Sequence, residues 1–161
     1  MHLVAHALDG FAHAAETLCG HAYGQRNLAA FRRYVSLCSK CALLVAGVVT
    51  LLYWVFGESL IGLMTTLPEV RAEAARWLPW VLAAPLIGVW SFLLDGIYIG
   101  VTHSRDMRNG MLISVLVFIL ATWWLIPAFG NHGLWASYTV LMIARAVTLG
   151  ITYPRIVSKL R

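Results

Sequence analysis

The sequence predicts an all-α integral membrane protein: four complete transmembrane helices preceded by the end of a fifth. Composition is the first reason. Hydrophobic residues make up 60% of the chain and charged residues 12%, with a mean hydropathy of +0.76. Soluble domains run nearer ~45–50% apolar and ~25% charged, and a soluble fold of this size could not hide so much apolar surface. The second reason is length. A helix needs ~20 apolar residues to cross ~30 Å of hydrocarbon, so four or five crossings use up all 161 residues and leave no room for a soluble domain. The third is that basic residues collect in alternate connections between the apolar runs.

Residues 1–24 read as the end of one membrane helix, with Gly20 and Gly24 marking its exit. The chain begins inside this helix-like stretch with no basic leader region, so it is expected to be a piece of a longer protein. A basic stretch follows with Arg26, Arg32, Arg33 and Lys40, and the first complete crossing spans 34–56. Residues 57–76 form a polar connector holding Glu58, Glu69, Arg71, Glu73 and Arg76. Within it, Thr66, Pro68 and Glu69 spell a capping box with proline in the first turn, so a helix should start there. The next crossing spans 77–101. Pro85 lies far enough inside to remove a backbone hydrogen bond and kink it. A basic loop at 103–109 leads to a crossing at 110–126 that ends at Pro127. A tight turn, Gly130-Asn131-His132-Gly133, leads to the last crossing at 134–153, and Pro154 opens a basic tail.

Charge sets the expected orientation. The loops 25–40, 103–109 and 154–161 hold nine Lys or Arg, whereas the intervening connector holds Arg71 and Arg76 against three Glu. The basic loops, and with them the C-terminus, should therefore face the cytoplasm. This accounts for the net charge of +5 and the pI near 9.5 without a nucleic-acid partner. Trp77, Trp80, Trp123 and Trp124 fall at the opposite interface, as an aromatic belt would. The three cysteines, Cys19, Cys38 and Cys41, are odd in number and lie in apolar surroundings. They read as core residues rather than a disulfide framework or a metal site.

Polar residues inside the spans are the candidate functional groups. A charge at the bilayer centre costs about 2.5–3.5 kcal/mol on insertion scales, and Asp9, Glu16, Asp95 and Arg145 each lie within an expected span. His2, His6, Asp9, His13 and Glu16 are spaced 4, 3, 4 and 3, which places them on one stripe of a helix. That stripe can line a water-filled path or proton relay, hydrogen-bond to neighbouring helices, or ligate a metal. The metal reading lacks the second E-x-x-H helix of a di-metal bundle. Gly88, Ser91, Asp95, Tyr98 and Thr102 form a second face with the same spacing. Its small residues permit close helix approach, and Asp95 and Tyr98 are candidates for an ion or substrate. Arg145 shares a face with Tyr138 and Thr152. It either snorkels to the interface or pairs with Asp95 or Glu16. No hydrolase elbow, phosphate loop or zinc-protease motif is present, so the chain is not read as an enzyme. Leu8-Asp9-Gly10-Phe11 is echoed by Leu94-Asp95-Gly96-Ile97.

Several segments, in order, resemble a known family. They are Ala7-Leu8-Asp9-Gly10-Phe11-Ala12, Ala15-Glu16, Gly20-His21-Ala22-Tyr23-Gly24, Leu93-Leu94-Asp95-Gly96, Ile99-Gly100, Arg105-Asp106-Met107-Arg108-Asn109 and Gly130-Asn131-His132-Gly133-Leu134-Trp135. Together they resemble the multidrug and toxic compound extrusion (MATE) transporters, in their DinF (DNA-damage-inducible protein F) subfamily. The resemblance implies a twelve-helix fold of two six-helix lobes in the bacterial inner membrane. It implies export of cationic or amphipathic compounds in exchange for H+ or Na+, with no cofactor. This chain would supply the end of helix eight and helices nine to twelve. Cation handling by carboxylates of the C-terminal lobe would fall to Asp9, Glu16 and Asp95. The N-terminal lobe and helix seven are missing, so the chain is expected not to transport alone.

Three other readings stand beside this one. The first is a lipid or polysaccharide flippase of the same superfamily. The second is an intramembrane metalloprotein using His6, Asp9, His13 and Glu16, and the third is a small structural membrane subunit.

Overall fold

The structure, a computed structural model, describes the backbone of residues 2–160 and the side chains of residues 10–160. It is all-helical. The described residues form α1 (His2–Gly24), α2 (Leu28–Met64), α3 (Pro68–Gly100), α4 (Ser104–Phe129) and α5 (Asn131–Ser158). Helices α2 to α5 are each long and apolar enough to cross a membrane. Their outward surface is what lipid requires of a solvent-facing one: Leu63 is 85% exposed and Trp124 81%. Such surface in water would drive association, so the chain is a multi-pass membrane protein.

The helices outrun the expected spans at nearly every end. The polar connector expected at 57–76 is almost entirely helical, and only Thr65, Thr66 and Leu67 separate α2 from α3. A membrane boundary is not a helix boundary, and Glu, Arg and Ala in the first turns of α3 are strong helix formers. The capping box is corrected too. The N-cap of α3 is Leu67 with no side-chain bond, although Pro68 does take the first helical position. Arg71 ties this turn down by donating from Nε to the Thr65 carbonyl at 2.8 Å and from Nη2 to the Gly62 carbonyl at 2.7 Å. It thereby satisfies carbonyls left open at the end of α2.

The proline stops do not hold. α4 continues through Pro127 to Phe129, and α5 continues through Pro154 to Ser158. α3 stays helical through Pro79 and Pro85, and Thr50 of α2 donates to the Leu82 carbonyl at 3.3 Å beside the second. The carbonyl that Pro85 leaves without its helical donor is that of Val81, one residue earlier, so the Thr50 bond steadies the same turn rather than replacing the lost one. Between α4 and α5 the turn narrows to Gly130, at φ 57° and ψ −129°, a conformation open to glycine.

Small residues carry the helix contacts. α3 lies at the centre and packs against α1, α2 and α5. A methyl group on Gly96 would collide with the backbone of Ala12, and one on Gly100 with the backbone of Glu16. Gly20 in turn meets the Gly100 carbonyl at 2.7 Å from its Cβ position. Gly96 and Gly100 thus form a G-x-x-x-G face on which α1 sits backbone to backbone. The α4–α5 hairpin repeats the device with Gly110 and Ser114 on one helix and Gly133 and Ser137 on the other, all buried. Both serines turn inward, donating to the carbonyl of the glycine four residues earlier at 2.7 Å. Larger side chains gather toward the basic end, where Phe31, Ile97, Tyr98, Leu149 and Ile156 form the core with Cys19 and Cys38. Both of these cysteines are free and buried, and Cys41 is free and exposed.

Candidate functional site

The sequence stripe on α3 becomes a buried face. Gly88, Ser91, Asp95 and Tyr98 are all buried. Thr102 leaves that face, which corrects the expected five-residue stripe. The helix ends at Gly100, and Thr102 is exposed at φ 58°. A β-branched residue there is strained. It persists because the His103 amide bonds the Tyr98 carbonyl at 3.1 Å and the Thr102 amide bonds the Ile99 carbonyl at 3.0 Å, closing the helix end.

Asp95 and Arg145 meet at the centre of this face. Arg145 reaches from α5 and donates from Nε to Oδ1 of Asp95 at 3.2 Å, while its Nη2 contacts Oδ2. The pairing decides between the alternatives open for Arg145: it neither snorkels nor pairs with Glu16. Both side chains are largely withdrawn, Arg145 at 19% exposure and Asp95 at 10%. A guanidinium and a carboxylate in this fork match in geometry as well as charge. The pair is neutral as a unit, so two groups that would each be costly in a span are tolerated together.

Tyr98 lies one turn nearer the basic end. Its hydroxyl donates to the Leu149 carbonyl at 2.7 Å and lies 2.5 Å from the Thr152 hydroxyl. The ring is fully buried. Tyr98 therefore clamps α3 to α5 directly beside the ion pair. Ser91, one turn to the other side, is buried with its hydroxyl unpartnered among the described residues.

The α1 stripe goes elsewhere. The side chains of His2, His6 and Asp9 lie outside the described residues. His13 and Glu16 face away from the core, at 79% and 38% side-chain exposure, with His13 Nδ1 and Glu16 Oε2 3.4 Å apart. The opposite face of α1 supplies the buried Ala15, Cys19 and Ala22. Glu16 touches α3 through its backbone at Gly100, not through its carboxylate. The structure thus joins Asp95, Tyr98 and Arg145 in one site and places His13 and Glu16 on another surface. Among the described residues, no three His, Cys, Asp or Glu side chains group as a metal ligand set.

Sequence reading missed two features. The G-x-x-x-G at Gly96 and Gly100 was visible as spacing. The second is a polar hub at the basic end, centred on His103. Its Nδ1 lies 3.1 Å from Asp106 Oδ2, and its Nε2 lies 3.4 Å from the Tyr23 hydroxyl and 3.3 Å from Lys159 Nζ. Arg155 approaches the other Asp106 oxygen at 3.8 Å. The ends of α1, α3, α4 and α5 converge there. The i, i+3 spacing of His103 and Asp106 was the one local signal for it.

Comparison with known proteins places this architecture. The family model described as MatE matches residues 2–127. The DNA damage-inducible protein F of Escherichia coli (strain K12) is 37% identical over 151 residues, which are 94% of this chain and 33% of the relative. The chain therefore spans about a third of the length of that relative. No solved structure matches the chain significantly.

Proposed function

Because this chain belongs to the MatE family, whose members are transporters rather than enzymes, we propose that it forms part of a secondary active antiporter. The complete transporter exports cationic or amphipathic compounds in exchange for H+ or Na+. The chain supplies part of its C-terminal lobe, and helices outside these 161 residues supply the rest. Alternating access needs one helix bundle to rock against another, so the chain alone does not transport. The basic ends of the helices face the cytoplasm in the bacterial inner membrane, and the C-terminus with them.

The observation that carries this reading is the Asp95–Arg145 fork between two apolar spans. An intramembrane carboxylate is a functional group by default, because it is costly unless it is used or paired. Asp95 is the cation-handling carboxylate. A cation at these oxygens competes with Arg145, whose guanidinium already draws on both and cannot lose its proton. Occupancy of the site therefore weakens the ion pair between α3 and α5. Tyr98 holds the two helices together one turn away while the fork opens. His13 and Glu16, exposed on α1, face a polar path rather than lipid, and His6 and Asp9 continue their spacing.

Efflux of a fluorescent cation from cells tests this reading. The complete transporter is compared with Asp9→Asn, Glu16→Gln and Asp95→Asn at matched membrane levels. Asp95→Asn should abolish efflux. Unchanged efflux in all three variants would place the chemistry outside this chain.

A further inference from the structure

α5 carries a continuous open stripe on the side away from Arg145. Ile143, Val147, Gly150, Pro154 and Val157 are spaced 4, 3, 4 and 3 and so share one face. Two cavities lie along it. One, of about 400 Å³, is a groove walled by Ile87, Trp90 and Leu94 of α3 and by Ile143, Ala146 and Val147 of α5. The other, of about 340 Å³, lies at the basic end and is lined by Arg32, Tyr153, Pro154, Val157 and Ser158. Gly150 bridges them. Nothing lies within 4 Å of where its Cβ would be, so the stripe stays open between the two cavities.

The two cavities differ in chemistry. The groove is wholly apolar in its lining residues. The end cavity presents a guanidinium and a phenol. Arg32 is exposed, and neither Arg32 nor the Tyr153 hydroxyl has a hydrogen-bond or ion-pair partner among the described residues. The Tyr153 ring is held in place by stacking on Phe31 at 6.4 Å between centroids. Ser158 is already committed, donating to the Arg155 carbonyl at 2.9 Å. The neighbourhood is cationic, with Arg26, Arg33, Arg155 and Lys159 at the same end and Asp106 as the nearby carboxylate.

Length selects the occupant. Ile143 to Pro154 spans roughly 16 Å at 1.5 Å per residue. One leaflet of hydrocarbon is roughly 15 Å, half of a ~30 Å core. We propose that this stripe binds one anionic phospholipid, its acyl chains in the α3–α5 groove and its phosphodiester between Arg32 and the Tyr153 hydroxyl. Arg32 supplies a planar donor fork suited to a phosphate, Tyr153 adds a neutral donor, and the groove holds chains that a free anion lacks. The site lies on the face of α5 opposite the Asp95–Arg145 pair and does not depend on the transport reading.

The test uses the purified complete transporter in neutral detergent, with lipid binding followed by native mass spectrometry and thermal stability. Phosphatidylglycerol, phosphatidylcholine and inorganic phosphate are the probes. The expected result is one phosphatidylglycerol per protein, retained where phosphatidylcholine is lost, with a rise in melting temperature. Arg32→Gln combined with Tyr153→Phe should remove the preference for phosphatidylglycerol. Gly150→Leu should weaken both lipids by filling the stripe. Arg32 is exposed and Gly150 is unobstructed, so these variants should fold, and their melting temperatures without lipid check this. Equal binding of the two lipids, or a preference that survives the double substitution, overturns the proposal. So does equal stabilisation by inorganic phosphate, which would show an anion site without a lipid groove. Absence of any bound lipid, as expected if another helix fills the groove, also overturns it.

Discussion

Replacing Asp95 by asparagine leaves the Arg145 guanidinium in place with nothing to neutralise it. The structure sets the size of the effect. The fork joins both carboxylate oxygens to Nε and Nη2, and the partners are 10% and 19% exposed. Removing one member of a buried pair costs about 3–5 kcal/mol, and the residual exposure of Arg145 argues for the lower end, about 3 kcal/mol. In a chain of this length about 3 kcal/mol corresponds to a fall in melting temperature of roughly 6–12 °C. The protein carries its own reporters. Cys19 and Cys38 are buried and become reactive on unfolding, once the exposed Cys41 is changed to serine. A thiol-reactive dye then reads the transition in detergent. Arg145→Met should destabilise by a similar amount. The double variant Asp95→Asn/Arg145→Met should recover most of the loss, because no charge is left stranded. Two results would refute the reasoning: a melting temperature for Asp95→Asn close to wild type, or a double variant that loses the sum of the two single losses.

Other consequences follow from the same contacts. Gly96→Ala and Gly100→Ala each push a methyl group into the α1 backbone and should cost about 1–3 kcal/mol by overpacking. Cysteine cross-linking between α1 and α3 should fall in parallel, whereas Gly10→Ala and Gly24→Ala, which meet open space, should change little. Tyr98→Phe keeps the ring and removes the bonds to Leu149 and Thr152, for a loss of about 1 kcal/mol in thermal stability. If the hydroxyl only clamps the helices, efflux by the complete transporter survives this change. Thr102→Gly should raise stability by about 1 kcal/mol, because glycine adopts φ 58° without the penalty a β-branched side chain carries. A lower melting temperature in that variant would contradict the strain assigned to Thr102.

Much of this was legible in the sequence, and the reasons are local. Apolar runs pointed to four membrane-length helices because lipid imposes length and composition directly on the chain. The 3–4 spacing around Asp95 placed Ser91 and Tyr98 on its face because helical periodicity is a property of one segment. Helix ends were less legible. Thr66 looked like a cap and Pro127 and Pro154 like stops, yet α3 caps at Leu67 and the helices run past both prolines. Helical propensity continues through polar residues beyond the apolar core, so hydropathy marks the membrane and not the helix. Partner choice was not legible at all. Whether Arg145 meets Asp95 or Glu16 depends on which helix lies beside α5, and α3 lies there while the exposed side of α1 turns away. The His103 hub required four helix ends to converge, which no window of sequence contains. Gly96 and Gly100 could have been read from their spacing, and with them the seat of α1.

The most direct test of the central claim uses inverted membrane vesicles containing the complete transporter. Uptake of a fluorescent organic cation is driven in turn by a proton gradient and by a sodium gradient, for wild type and for Asp95→Asn at equal membrane content. The account predicts that one gradient drives uptake in the wild type and that Asp95→Asn loses this coupled uptake. Full gradient-driven uptake by Asp95→Asn would contradict it, leaving the Asp95–Arg145 pair as a structural tie between α3 and α5.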